Sequence, residues 1–166
     1  MGSFLIRDAR SNDMAALLNL IQELADFEKE PDAVELNVED LQRDGFGQHP
    51  KFHAFVAEAN DNIVGAALVY SRYSTWKGPI LHLEDLIVSE KMRSRGIGDS
   101  LLNAVVNYGY ALGVKRISWE VLDWNQSAID FYEKKGARVM RDWDLVQLDE
   151  KGIANFIKNT KKNDSA

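Results

Sequence analysis

Two adjacent carboxylates, Glu84 and Asp85, interrupt the otherwise apolar run Leu81 to Val88. Burying an acid is costly unless it is paired, hydrated or used. An acid pair inside a buried-strand pattern is therefore a candidate for holding a cation or taking a proton. The run continues into a polar loop, Ser89 to Arg95, carrying Arg93, Ser94 and Arg95. Gly96-Ile97-Gly98-Asp99 follows and opens the apolar-periodic stretch Leu101, Leu102, Val105, Val106 and Leu112. Strand, amide-rich loop and helix N-terminus together make a seat for a phosphate-bearing ligand. Gly-x-Gly before a helix is also ordinary punctuation, and loop arginines are commonly only solvated, so the pattern alone leaves both readings open.

The elements around this stretch are legible from periodicity and caps. Phe4-Leu5-Ile6 reads as a short strand. Ser11 or Asn12 can cap a helix whose stripe is Met14, Leu17, Leu18, Ile21, Leu24 and Ala25. A second helix starts at Asn37, with Leu36 and Leu41 spaced as a hydrophobic staple, and stops near Gly45. Phe52 to Ala59 and Ile63 to Tyr73 read as strands joined by a tight turn at Asn60-Asp61-Asn62. Trp76 to Pro79 turns the chain into the acid-bearing strand. Beyond the helix that ends at Gly113, Arg116 to Leu122 reads as a strand. Asn125 caps a short helix, Gln126 to Lys135, stopped by Gly136. Last strands are expected around Arg138 to Met140 and Asp144 to Leu148, then a helix capped by Asp149 with Ile153, Phe156 and Ile157. Residues 159–166 read as a loose polar end. The order is mixed α/β, a meander feeding a crossover unit.

At 166 residues, one domain is the natural expectation, and 45% hydrophobic with 28% charged residues is ordinary for a soluble protein. No apolar run approaches the roughly 20 residues that span a bilayer and no signal pattern opens the chain, so a cytoplasmic location and no membrane are expected. There is no cysteine, which excludes a disulfide, a thiolate metal site and a cysteinyl intermediate. A formal charge of -6 argues against nucleic acid and suits a small cationic partner, although mild acidity for solubility explains it as well. His49, His53 and His82 show no ligand spacing, each reads as structural or solvent-facing, and no metal is expected.

A dinucleotide fold is the first competitor, because Glu120 follows the glycines by about 20 residues. It fails because Leu101 occupies the third glycine position, Ser89 to Arg95 replaces a tight turn, and too little chain remains for a doubly wound sheet. No P-loop, nucleophile elbow or His-Glu-x-x-His helix is present.

Arg93-Ser94-Arg95-Gly96-Ile97-Gly98 resembles the Arg/Gln-x-x-Gly-x-Gly/Ala signature of the GNAT superfamily of acyl-CoA-dependent N-acetyltransferases. Asn125 to Ala137 resembles that family's Asn-x-x-Ala-x-x-Phe-Tyr helix with its following Gly-Ala. The chain is most similar to the diamine (spermidine/spermine) and thialysine acetyltransferase branch, through Phe27-Glu28, Asp44 to Gly47, Trp76, Leu83-Glu84-Asp85, the glycine loop, Asn125 to Ala137, and Trp143. The resemblance implies one acetyltransferase domain over residues 1–166. Its expected architecture is a splayed central sheet of about six to seven strands flanked by about four to five helices. It also implies acetyl-CoA as co-substrate and a homodimer.

In such a protein the backbone of Leu86, Ile87 and Val88 would pair with the pantetheine arm. The amides from Ser94 to Asp99 would cradle the pyrophosphate, aided by the helix dipole and by Arg93 or Arg95. Glycine is expected at 96 and 98 because a Cβ would block close approach. Asn125, Ser127 and Ala128 fall where relatives make further coenzyme contacts, and Tyr132 matches the family tyrosine that protonates the departing thiolate. Glu84 is the expected acceptor of the amine's proton, directly or through water. Backbone N–H groups beside Leu86 would stabilise the oxyanion.

Each role has a plainer reading. Tyr132 could be a packed aromatic, and alternation along a strand puts Glu84 and Asp85 on opposite faces, so that one need only be structural. Glu28 and Glu120 could extend an acidic groove or be solvated. Trp76, Trp119 and Trp143, with Phe27, could line an amine channel or simply pack. Arg141 departs from the polyamine-specific pattern, which has an acid ahead of the tryptophan, and favours a shorter diamine or a lysine-like amino acid. The rival from another class is an acyl-CoA sensor without turnover.

Overall fold

A computed structural model describes residues 3–163 as two compact units, one running to Glu120 and the other starting at Val121. The first holds a five-stranded sheet in the order β1 (Leu5–Asp8), β2 (His53–Ala59), β3 (Asn62–Ser74), β4 (Gly78–Val88) and β5 (Ile117–Ser118). The first four strands form an antiparallel meander and β5 runs parallel to β4. Between β2 and β3 the turn residues Asn60 and Asp61 have φ of 49° and 61°. This two-residue geometry matches strand twist, and Asn and Asp tolerate it because their short side chains bond locally.

Helices α1 (Met14–Phe27) and α2 (Val38–Phe46) cover one face, where Met14, Leu17, Leu20 and Leu41 bury against Val56, Ala66, Leu68 and Ile87. Helix α3 (Ile97–Ala111) packs against β3 and β4 with Ile97, Leu101, Leu102 and Val105 buried. At Gly65 an added Cβ would lie 3.2 Å from Leu101 and 3.3 Å from Ile97, so glycine there lets the start of α3 sit close to β3. Helix α2 starts after Asn37 as expected, and its cap is reciprocal: Asn37 accepts from the Asp40 N–H while Asp40 accepts from the Asn37 N–H.

The start of α1 differs. Neither Ser11 nor Asn12 caps it; Asp13, at the end of a short turn, accepts the Arg10 N–H at 2.7 Å. Asp13 is held in turn by both Nη atoms of Arg7, whose Nε bonds Glu58 at 2.6 Å. Arg7 keeps the Asp13 carboxyl below the usual carboxylate range. That contribution is therefore full at neutral pH and is lost as pH falls through the folded-state value. Arg7→Met leaves a buried carboxylate without its cation and is expected to lower stability by about 2 kcal/mol at pH 7. Thermal melts at pH 7 and pH 3 check this, with the difference from the parent protein shrinking at the lower pH.

The second unit contains α4 (Gln126–Lys134) and α5 (Glu150–Asn163). Asn125 Oδ1 accepts from the Ala128 N–H, and Gly136 ends α4 at φ 86°. The last strands expected at Arg138 to Met140 and Asp144 to Leu148 do not form, and β5 keeps only two of the residues read as strand, so the sheet has five strands instead of six or seven. Alternating apolar residues make a strand only where a partner edge accepts their N–H groups, and these segments have none among the described residues. Helix α5 extends through Asn163 into the stretch expected to be loose, while residues 164–166 lie outside the described ones. No described helix is long and apolar enough to cross a membrane.

Candidate active site

Strand alternation fails where the acids lie. Tyr70 pairs with His82 and Leu68 with Asp85, a step of two residues on β3 against three on β4. The register shift makes Glu84 the extra residue of a β-bulge. Because Tyr70 and Leu68 share a face, so do His82 and Asp85, and the simple alternation from which Glu84 and Asp85 were expected to oppose each other is broken at this point. The bulge places Asp85 on the face covered by α1, whose C-cap is Glu28. Burial, then the charges of Glu84 and Glu28, push the Asp85 carboxyl up to about 6. Partial desolvation also raises Glu28.

A second group meets the same spot. The His82 side chain is 2% exposed, with Nε2 3.1 Å from Glu120 Oε2 and 3.6 Å from Glu84 Oε2. Nδ1 lies 3.4 Å from Ser118 Oγ, and the Tyr70 ring is 5.0 Å away. Burial first, and Glu84 second, raise the Tyr70 phenol. Sequence reasoning set His82 aside for want of ligand spacing. Ser118 is 36 residues away on β5 and Glu120 lies just beyond it, and the one available signal was a polar ring in a core-strand pattern two residues before Glu84.

The coenzyme seat expected from the glycine loop has suitable backbone. Pairing between β4 and β5 involves only Leu81 and His82, so from Leu83 to Val88 the edge of β4 away from β3 has no strand partner among the described residues. Leu86, Ile87 and Val88 stand on that free edge. Gly96 precedes α3 at φ 81° without any side-chain cap, so the first helical N–H groups, beginning with Ile97 and Gly98, are not bonded by an N-cap side chain. Ser94 is also left-handed, at φ 60°. A Cβ on Gly96 would meet nothing within 4 Å, and one on Gly98 only Val88 at 3.8 Å, so within the chain it is the dihedral that demands glycine at 96. These features fit a diphosphate cradle. Arg93 is partly committed elsewhere: Nε donates to the Val88 carbonyl at 3.1 Å and the guanidinium lies 5.3 Å over the Phe27 ring. Arg95 is exposed, and Asp99 sits half-buried in the first turn of α3.

Other expected residues scatter. Trp76 is 79% exposed at the tip of the β3–β4 hairpin, and β4 runs a further six residues from Gly78 before it reaches Glu84. At a strand's rise this is about 20 Å, so the fold does not bring Trp76 to the acids. Trp119 is half-buried beside Glu120. In the second unit, Ser127 is exposed in the first turn of α4, Ala128 donates to the Asn125 cap, and Trp143 is exposed. Tyr132 lies on α4 next to Phe131, and burial pushes its phenol up to about 12.

Residues 14–137 match the acetyltransferase (GNAT) family. The chain is 40% identical over 146 residues to thialysine N-epsilon-acetyltransferase of Sus scrofa, spanning 83% of this chain and 86% of that protein. It is 38% identical over 144 residues to spermidine/spermine N(1)-acetyltransferase-like protein 1 of Homo sapiens, spanning 82% of this chain and 21% of that protein. Among solved structures, aminoglycoside N-acetyltransferase AAC(6')-Iy in complex with CoA shares the fold, with a TM-score of 0.71 at 18% identity over 89% of this chain and 95% of that one. Strand, glycine loop and α3 carry the first signature in its required setting, α4 carries the second, and the match runs through both: the chain belongs to the GNAT family and is an N-acetyltransferase.

Proposed function

We propose that the chain acetylates a primary amine of a small cationic molecule from acetyl-CoA, by direct transfer in a ternary complex. The observation that carries this reading is the bulge, which gathers Glu84 and Asp85, with the influence of Glu28, where the β4 edge becomes free. Acetyl-CoA supplies the acetyl group as a thioester. Leu86 to Val88 hold its arm along the free edge, and the N–H groups from Ser94 to Asp99 hold its diphosphate, with Asn125, Ser127 and Ala128 contributing from α4. An amine with a solution pKa near ~10.4 arrives protonated; Asp85 and Glu28 attract it and Glu84 removes the proton. Backbone N–H groups beside Leu86 receive the developing oxyanion. Tyr132 donates to the leaving sulfur.

The amine is a short diamine or lysine-like amino acid. Two features support this: Arg141, which repels a long polycation, and the likeness to thialysine acetyltransferase. The protein works as a homodimer, a reading supported by the exposed Trp143, Leu145, Val146, Leu148 and Phe156 of the second unit, and it acts in the cytoplasm.

Thiol release with acetyl-CoA and a panel of diamines, polyamines and lysine analogues tests the assignment. The expected result is a kcat/KM for thialysine or a short diamine about tenfold or more above that for spermine, a difference of roughly 1.4 kcal/mol. Release at the hydrolysis background with every amine would overturn it.

A further inference from the structure

A buried histidine on the core side of a sheet is usually a packing residue whose nitrogens bond fixed internal groups. His82 departs from that pattern on one side. Its Nδ1 faces Ser118 on β5, an internal partner, but its Nε2 faces two carboxylates that reach water, Glu120 at 3.1 Å and Glu84 at 3.6 Å. The side chains of Glu84 and Glu120 are 51% and 59% exposed. Both could lie in solvent, yet they converge on one nitrogen, Glu84 from β4 and Glu120 from the residues after β5. The meeting point is the last residue pair before β4 and β5 part. A buried ring thus bridges the acid nearest the reacting amine and an acid on the far side of the opening.

We propose that His82 is a relay residue for the acetyl transfer, acting through Glu84: it accepts the proton that Glu84 removes from the substrate ammonium and passes it to Glu120, which releases it to water. The proposal rests on the reading of Glu84 as proton acceptor. Each step balances without any change of oxidation state. The ammonium N–H breaks as an O–H forms on Glu84. That O–H then breaks as the Nε2 lone pair of the neutral ring takes the proton, while Nδ1–H is directed at Ser118 Oγ. Nε2–H finally breaks as Glu120 takes the proton, and water carries it away. Glu84 is left ionised for the next turnover. Imidazole suits the middle position because one ring nitrogen can accept a proton while the other keeps its own hydrogen bond. The groups facing it are Tyr70 from β3, Glu84 from its own strand, and Ser118 and Glu120 from β5 and the residues after it.

His82→Gln tests this. The glutamine amide can still bond the neighbouring carboxylates but cannot take up and release a proton. Glu120→Gln and Glu84→Gln are made alongside, and single-turnover acetylation rate, KM for the amine and melting temperature are followed from pH 6 to pH 10. His82→Gln is expected to slow single turnover by roughly tenfold to a hundredfold at pH 7, with KM for the amine within about twofold. The deficit should close as pH approaches the amine's own pKa, where no proton need be removed. Glu120→Gln, at an exposed position, is expected to give a smaller loss with the same pH dependence, because water takes over part of its role.

Wild-type rates and pH profiles in both variants would overturn the relay, as would a loss equal at every pH, which marks packing alone. Should His82→Gln fail to fold, Glu120→Gln decides by the same criterion. The two readings separate cleanly: slow Glu84→Gln with unaltered Glu120→Gln and His82→Gln removes the relay alone. A Glu84→Gln at full rate removes the Glu84 assignment and the relay with it.

Discussion

Glu84→Gln is expected to lower the acetylation rate at pH 7 by about a hundredfold to a thousandfold, the range general-base catalysis supplies. An alkylammonium with a pKa near ~10.4 is deprotonated in only about one molecule in 2,500 at pH 7. Without an acceptor at position 84 the variant must draw on that fraction, so its rate should rise about tenfold per pH unit toward pH 10, converging on the parent enzyme. Convergence separates a lost base from a misfolded site, which would stay slow at every pH. The bulge adds a coupled expectation. Asp85 is pushed up to about 6 by burial first and by Glu84 second. In the parent protein the Asp85 charge that helps hold the amine therefore disappears as pH falls through 6, and kcat/KM should fall with it. Removing the Glu84 charge lowers the Asp85 pKa, so the acid limb of Glu84→Gln should move to lower pH. A rate for Glu84→Gln within about threefold of the parent at pH 7 would rule out Glu84 as the base.

Much of the frame was legible because its causes are local. Asn60 and Asp61 announce their turn by residue type, Asn37 the start of α2, and Gly136 the left-handed stop of α4. The candidate site was legible only in part, because its decisive features are set by register. Nothing in Leu81 to Val88 signals a bulge; it exists because Tyr70 and Leu68 on β3 pair with residues three apart on β4. That irregularity breaks the alternation by which Glu84 and Asp85 were expected on opposite faces. His82 meets Ser118 and Glu120 through the parallel pairing of β4 with β5, and that pairing is two residues long. Trp76 shows the converse: an aromatic suited to cation–π contact is carried to the hairpin tip by Gly78, far from the acids. The absent last strands follow the same logic. Met140, Leu145, Val146 and Leu148 have strand-like character but stay exposed, since periodicity names a face without supplying the edge to pair with.

Tyr132→Phe is expected to lower kcat by about a hundredfold, with KM for the amine nearly unchanged because the phenyl ring fills the same volume. The raised phenol constrains how Tyr132 acts. Burial pushes it up to about 12, so it stays protonated across the working range and cannot serve as the base. An alkyl thiol has a pKa near ~8.5, which makes complete transfer from such a phenol to a free thiolate uphill by about 5 kcal/mol. The favourable role is therefore a hydrogen bond to sulfur as the C–S bond lengthens, with the net proton coming from the amine nitrogen. Two consequences distinguish this from a freely titrating acid. The parent enzyme should show no alkaline loss from Tyr132 below about pH 11, since the group is still protonated there. An acyl donor whose thiolate leaves without help, such as an aryl thioester of the same acyl group, should narrow the gap between Tyr132→Phe and the parent. If the gap is unchanged with that donor, the hydroxyl acts elsewhere than at the leaving sulfur.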